Sequence, residues 1–163
     1  MNRQQILLAL ALEEAGIPVK VGQFDERLHL QKGVYLLQDA GVHLGYRYRW
    51  YLRGPYSTDL ASDVFFLAGQ KKSVKQELAG WQLDVESKTR IGRLKTLLTV
   101  GALAELAKHL ELLASVLFLI RTGQFRAEAH ARISDILKVN NKPFEETDVV
   151  GALNQLREYG FAW

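Results

Sequence analysis

The chain has 163 residues, of which 48% are apolar, and it contains no cysteine. Length and apolar content suit one domain, residues 1–163, with a hydrophobic core of its own. Without cysteine there are no disulfide frameworks, thiolate metal sites or cysteine nucleophiles, and such a chain suits a reducing, cytoplasmic setting. Its net charge of +3, from 21 Lys+Arg against 18 Asp+Glu, is too small to argue for nucleic acid by itself.

Residues 3 to 15 have helix-forming composition and meet Gly16 and then Pro18, the usual order of stop signals. Their apolar run, Ile6 to Leu12, is followed at once by Glu13 and Glu14, so a buried first helix is expected rather than a secretory leader. Asp25 is the expected cap of a second helix through Leu28, Leu30, Val34, Tyr35 and Leu37 to about Ala40, with Gly41 behind it. From Tyr46 to Leu52, arginines at 47 and 49 alternate with aromatics at 46, 48 and 50, the period of a strand. Gly54-Pro55 is expected to close that strand, and Ser57 to cap a helix through Leu60, Val64 and Leu67 to Gly69. Asp59 falls in the first turn of that helix, where the helix dipole favours a carboxylate. Residues 71 to 78 read as a short helix and 80 to 83 as a turn with a brief second strand.

From Asp84 onward the pattern is helical. Asp84 is the expected cap of a helix striped by Ile91, Leu94 and Leu98. A long helix from Ala102 to Arg121 is apolar on most sides in its second half, which marks it as the central element. Two more helices, 125 to 139 and 147 to 159, flank a loop at Asn140-Asn141-Lys142-Pro143. The apolar run Leu112 to Ile120 is far short of the roughly 20 residues that cross a bilayer, so no membrane span is expected. The expected fold is mainly α with some β: a compact helical domain with a small antiparallel hairpin, winged-helix-like in one version.

Signatures of chemistry are sparse. His29, His43, His109 and His130 form no His-Glu-x-x-His pattern and no metal-ligand pair at helical spacing. Asp59 and Asp63 stand one helical turn apart, but oxygen-rich metal sites draw on more ligands, so a solvated helix face is the better reading. Neither a phosphate loop, nor a dinucleotide fingerprint, nor a nucleophile elbow occurs. No metal, no cofactor and no enzymatic activity are expected.

The segment Tyr46 to Ser57 divides into two roles. Tyr46, Tyr48 and Trp50 suit the inner face of a small sheet, each contributing about 1.5–3 kcal/mol on burial. Arg47, Arg49 and Arg53, with Tyr56, are the candidate contacts to a protein partner. In the alternative, Arg47, Arg49 and Arg53 form the wing of a nucleic-acid binder, with Lys88, Arg90, Arg93 and Lys95 on phosphates. On a helical wheel, however, Lys88 and Lys95 flank one side of the apolar stripe and Arg90 and Arg93 the other.

Leu28-His29-Leu30-Gln31-Lys32, Tyr35-Leu36-Leu37-Gln38 and Trp50-Tyr51-Leu52-Arg53-Gly54-Pro55-Tyr56-Ser57, followed by Leu60, together resemble the YwgA-like group of small prokaryotic proteins. That group is in turn similar to the Panacea domain of SocA-type antitoxins. The resemblance covers residues 24 to 67 and extends loosely through Leu110 to Ser115 and Lys142 to Phe144. It implies a compact helical domain with a small hairpin, and residues 84 to 163, read as helical above, are the remainder of the chain. It also implies an antitoxin, adaptor or regulator that works by contacting another protein. Within the motif, Leu30, Gln31, Lys32, Tyr35, Trp50, Gly54, Pro55 and Ser57 are expected to be structural, with the Gln31 amide satisfying strand or turn backbone.

Overall fold

The computed structural model describes the backbone of residues 1–163 and the side chains of residues 1–70 and 73–163. The chain folds as α1 (Arg3–Ala15), α2 (Phe24–Asp39), β1 (Arg49–Tyr51), β2 (Gly54–Tyr56), α3 (Thr58–Gly69), α4 (Lys71–Glu77), α5 (Val85–Thr99), α6 (Leu103–Arg121), α7 (His130–Val139) and α8 (Glu146–Glu158). It is mainly helical, with one two-stranded antiparallel sheet.

Helix α6 is the axis: every residue from Leu110 to Leu119 is buried, as expected of a helix apolar all round. Helix α2, α8 and strand β2 pack around it, and α1 packs against α5. Helix α2 is also buried without interruption from Leu28 to Leu37. The residues between its leucines, Gln31 and Lys32, therefore go into the interior with them.

Local signals set the helix ends. Asn2 Oδ1 accepts from the Gln5 N–H at 2.8 Å while Gln5 Oε1 accepts from the Asn2 N–H at 3.0 Å, a reciprocal capping box. Gly16 then takes the left-handed conformation, φ 75°, that closes α1. Ser57 Oγ accepts from the Leu60 N–H at the start of α3, and Asp84 Oδ1 from the Ser87 N–H at the start of α5. Helix α2 differs from expectation. Its cap is Gln23, whose N–H donates to Glu26 Oε2 at 2.9 Å, and Asp25 lies inside the first turn.

The sheet is smaller than the alternation suggests. Pairing spans only Arg49–Tyr51, because the partner is the three-residue strand Gly54–Tyr56, in the register Arg49 with Tyr56, Trp50 with Pro55 and Tyr51 with Gly54. Gly54-Pro55 is thus the second strand and not the end of the sheet, and residues 81 to 83 form no strand. Upstream of β1, the Gln38 side chain replaces a neighbouring strand: its Nε2 donates to the Tyr46 carbonyl at 3.0 Å and its Oε1 accepts from the Tyr46 N–H at 2.7 Å. Helix α7 begins at His130, five residues after the expected start at Phe125.

Candidate functional site

The β1–β2 hairpin is held from beneath by side chains of three distant segments. Trp50 lies against Phe118 of α6, ring centroids 5.9 Å apart, and donates its indole N–H to Asn140 Oδ1 at 3.2 Å. Tyr48 meets Tyr35 of α2 edge to face at 5.0 Å, a favoured aromatic geometry. Burial pushes the Tyr48 phenol well above its ordinary value. The expected inward face of Tyr46, Tyr48 and Trp50 is thus the packing surface, with Tyr46 also donating to Asp63 Oδ2 at 2.7 Å. Asp63 additionally accepts from Gln5 Nε2 at 2.8 Å, so this carboxylate ties α3 to α1 and to the extended segment.

Polar side chains complete the hairpin's backbone bonding. Gln31 Nε2 donates to the Ser57 carbonyl at 2.8 Å, and Gln31 Oε1 accepts from the Ser57 N–H at 3.0 Å. Lys32 Nζ donates to the Pro55 carbonyl at 2.6 Å, and Lys142 Nζ donates to the Leu52 carbonyl at 2.6 Å. A two-stranded sheet leaves both edges unpaired; these three side chains satisfy the groups that burial would otherwise orphan. Gly54, at φ 82° after the turn at Leu52-Arg53, lies against α6 so closely that a Cβ would overlap Ser115 Oγ. Among the described residues that hydroxyl, fully buried, has no hydrogen-bond partner.

A charged cluster lies under the turn. Lys142 Nζ is 2.8 Å from Glu111 Oε1, and Arg53 Nη1 is 3.7 Å from Glu111 Oε2. Both side chains of the first pair are enclosed, whereas Arg53 is 55% exposed. Lys32, 1% exposed, is close enough to feel all three. Desolvation lowers its pKa to about 7, opposed by Glu111 and reinforced by Lys142 and Arg53. Desolvation also lowers Lys142, against the pull of Glu111. Three basic groups therefore share one carboxylate.

Above the cluster opens a groove of about 470 Å³ between α2, the hairpin and α3. Its walls include Phe24, Arg27, Lys32, Tyr51, Leu52, Arg53, Tyr56 and Phe65. Phe24, Tyr51, Leu52 and Phe65 are each at least half exposed, Leu52 the most at 71%. The Arg53 guanidinium lies 5.5 Å from the centre of the Phe24 ring, and Arg27 Nη1 donates to the Val21 carbonyl at 2.8 Å. The lining contains Arg27, Lys32 and Arg53 and no carboxylate.

Of the contact candidates from the sequence, Arg53 and Tyr56 line this groove. Arg49 shares the outward face of β1 with Tyr51, opposite Tyr56 in the register, and stands just outside the lining. Arg47 is exposed ahead of the strand. Helix α5 does not join them. Lys88 and Lys95 border a hollow with Glu13 and Glu14 of α1, while Arg90 and Arg93 border another beside Asp39 and Arg121. Arg90 donates to the Gly41 carbonyl and pairs with Glu86. The four basic residues of α5 thus lie on two flanks.

Sequence reasoning passed over Phe24, Leu52 and Phe65, which carry the groove's apolar surface, and over Glu111 and Lys142 beneath it. Lys142, in a segment that reads as a loop, is 1% exposed; the signal that marks it is the loose resemblance through Lys142 to Phe144. His29 Nε2 donates to the Leu98 carbonyl at 2.7 Å, with burial lowering its pKa, and His109 meets Gln155 Oε1 at 2.6 Å. No group of three or more metal-ligating side chains occurs among the described residues. No helix there is long and apolar enough to cross a membrane. No protein-family model, curated protein or solved structure matches the chain.

Proposed function

We propose that this protein is a non-enzymatic interaction module, antitoxin- or adaptor-like, that binds a segment of a protein partner in the groove between α2, the hairpin and α3. The observation that carries the reading is the lining itself: four exposed apolar side chains converge with Arg27, Lys32 and Arg53, and no carboxylate is among them. Isolated exposed apolar residues are ordinary on a protein surface, but several gathered in a concave site mark a contact surface. Aromatic rings and arginine are also the residues that most often dominate interface energies. The complementary partner is a segment with apolar anchors and net negative charge. The resemblance to the YwgA-like group and to the Panacea domain supports the same class of role.

The nucleic-acid alternative draws less support, since its second set of cations divides between the two flanks of α5. The test is comparative capture. Partners retained by the wild type are expected to be lost with Arg53→Glu and with Phe65→Glu and kept by Lys88→Glu, all three variants remaining folded by circular dichroism. Equal capture by all would overturn the groove assignment. Binding to generic duplex or single-stranded nucleic acid with a steep salt dependence would instead favour the alternative.

A further inference from the structure

The charged cluster and the groove meet at Lys32, which lines the groove and forms part of the cluster. We propose that the inner end of the groove is a site for a carboxylate of the bound segment, an acidic side chain or a chain terminus, held by the Lys32 amine in its protonated form and the Arg53 guanidinium. This rests on the docking reading above and assigns the chemistry of its partner.

Two independent observations carry the inference. The first is the charge count: Lys32, Lys142 and Arg53 surround Glu111 alone. Lys142 takes the closer place on that carboxylate at 2.8 Å, leaving Arg53 at 3.7 Å and 55% exposed. Excess positive charge held away from water is unfavourable unless an anion joins it. The second is donor capacity. A lysine ammonium has three N–H donors, and among the described residues Lys32 Nζ makes one hydrogen bond, to the Pro55 carbonyl. An entering carboxylate supplies both the missing charge and a missing acceptor. Its apolar neighbours in the partner would meet Phe24, Tyr51, Leu52 and Phe65.

Binding is then linked to protonation. The groups acting on Lys32 are Glu111 of α6, Lys142 of the α7–α8 loop and Arg53 of the hairpin, with Arg27 of its own helix in the same groove. Burial, opposed by Glu111 and reinforced by Lys142 and Arg53, holds part of the Lys32 population neutral near pH 7. A carboxylate favours the charged form, so binding takes one proton from solution onto Nζ wherever it was absent.

The probes are N-acetyl-phenylalanine, a ring with a carboxylate, and its uncharged amide, each titrated into the isotopically labelled protein and followed by NMR. The carboxylate is expected to bind at least tenfold more tightly than the amide, shifting Gln31, Lys32 and Arg53. That preference should shrink as pH rises from 6 to 9 and should be lost with Lys32→Met. If Lys32→Met does not fold, the exposed variant Arg53→Gln serves and should lower the preference severalfold. Equal binding of both probes in the groove would overturn the carboxylate site while leaving the docking reading intact. Failure of the carboxylate probe to shift the groove residues would also overturn it, and the capture experiment would then judge the docking reading separately.

Discussion

Gly54 and Lys32 show how single residues set the hairpin's limits. At Gly54 a positive φ and the closeness of Ser115 act together, so an added methyl meets both a backbone penalty and a steric one. A left-handed conformation costs a non-glycine residue about 1–2 kcal/mol. Gly54→Ala is therefore expected to destabilise by at least about 2 kcal/mol in urea unfolding, because overpacking adds roughly 1–3 kcal/mol. Adding Ser115→Gly should restore the steric share alone. Lys32 leaves a signature in pH. The unfolded chain keeps the ordinary value of 10.5, while burial lowers the folded value to about 7. Between those values the unfolded state binds more protons, so stability rises with pH across that window, and below it the penalty for burying the charge is fully present. Urea unfolding at pH 6.5 and 9.5 should show this rise in the wild type and a flatter response in Lys32→Met. Parallel behaviour of the two proteins would rule out a buried amine at this position.

At the scale of elements, α2 and the hairpin form one unit through the two hydrogen bonds between Gln31 and Ser57. Replacing Gln31 with leucine leaves the buried Ser57 N–H unpaired at the start of α3, while the Ser57 carbonyl keeps the Ala61 N–H at 3.1 Å. The loss of a buried partner costs about 1–3 kcal/mol. Gln31→Leu is thus expected to lower stability by about 1–3 kcal/mol, and amide hydrogen exchange should quicken first at residues 54 to 60. An unchanged exchange pattern would mean that the hairpin is held chiefly by Trp50. The end of α1 and the starts of α3 and α5 were legible in the sequence because Gly16, Ser57 and Asp84 act within a few residues of themselves. The strand partner was not legible. Alternation over residues 46 to 50 marks extended backbone, and the bonds that hold its first part come from Gln38 on α2. Helix α7 lacks any such local start: its cap position is Ala129, which offers no side-chain acceptor.

Across the whole molecule, the groove depends on packing between segments far apart in sequence. Phe24 comes from the first turn of α2, Leu52 from the hairpin turn and Phe65 from α3. Composition places none of them together, and the long separation between Glu111 and Lys142 hid the buried pair in the same way. What the motif did mark was the scaffold: Gln31, Lys32, Pro55 and Ser57 are the residues through which α2 grips the hairpin, and Gly54 is where the hairpin meets α6. The same grip aims the outward face of the turn, with Leu52 and Arg53, toward solvent beside the groove. The most direct measurement is a photo-crosslinking residue placed at Leu52 and, in a second protein, at Lys88 on α5. Irradiation in the cells that make the protein should yield a single partner adduct from position 52 and none from position 88, the adduct disappearing when Phe65→Glu is added. Adducts of equal yield from both positions, or an adduct at 52 that persists with Phe65→Glu, would contradict the groove as the docking site.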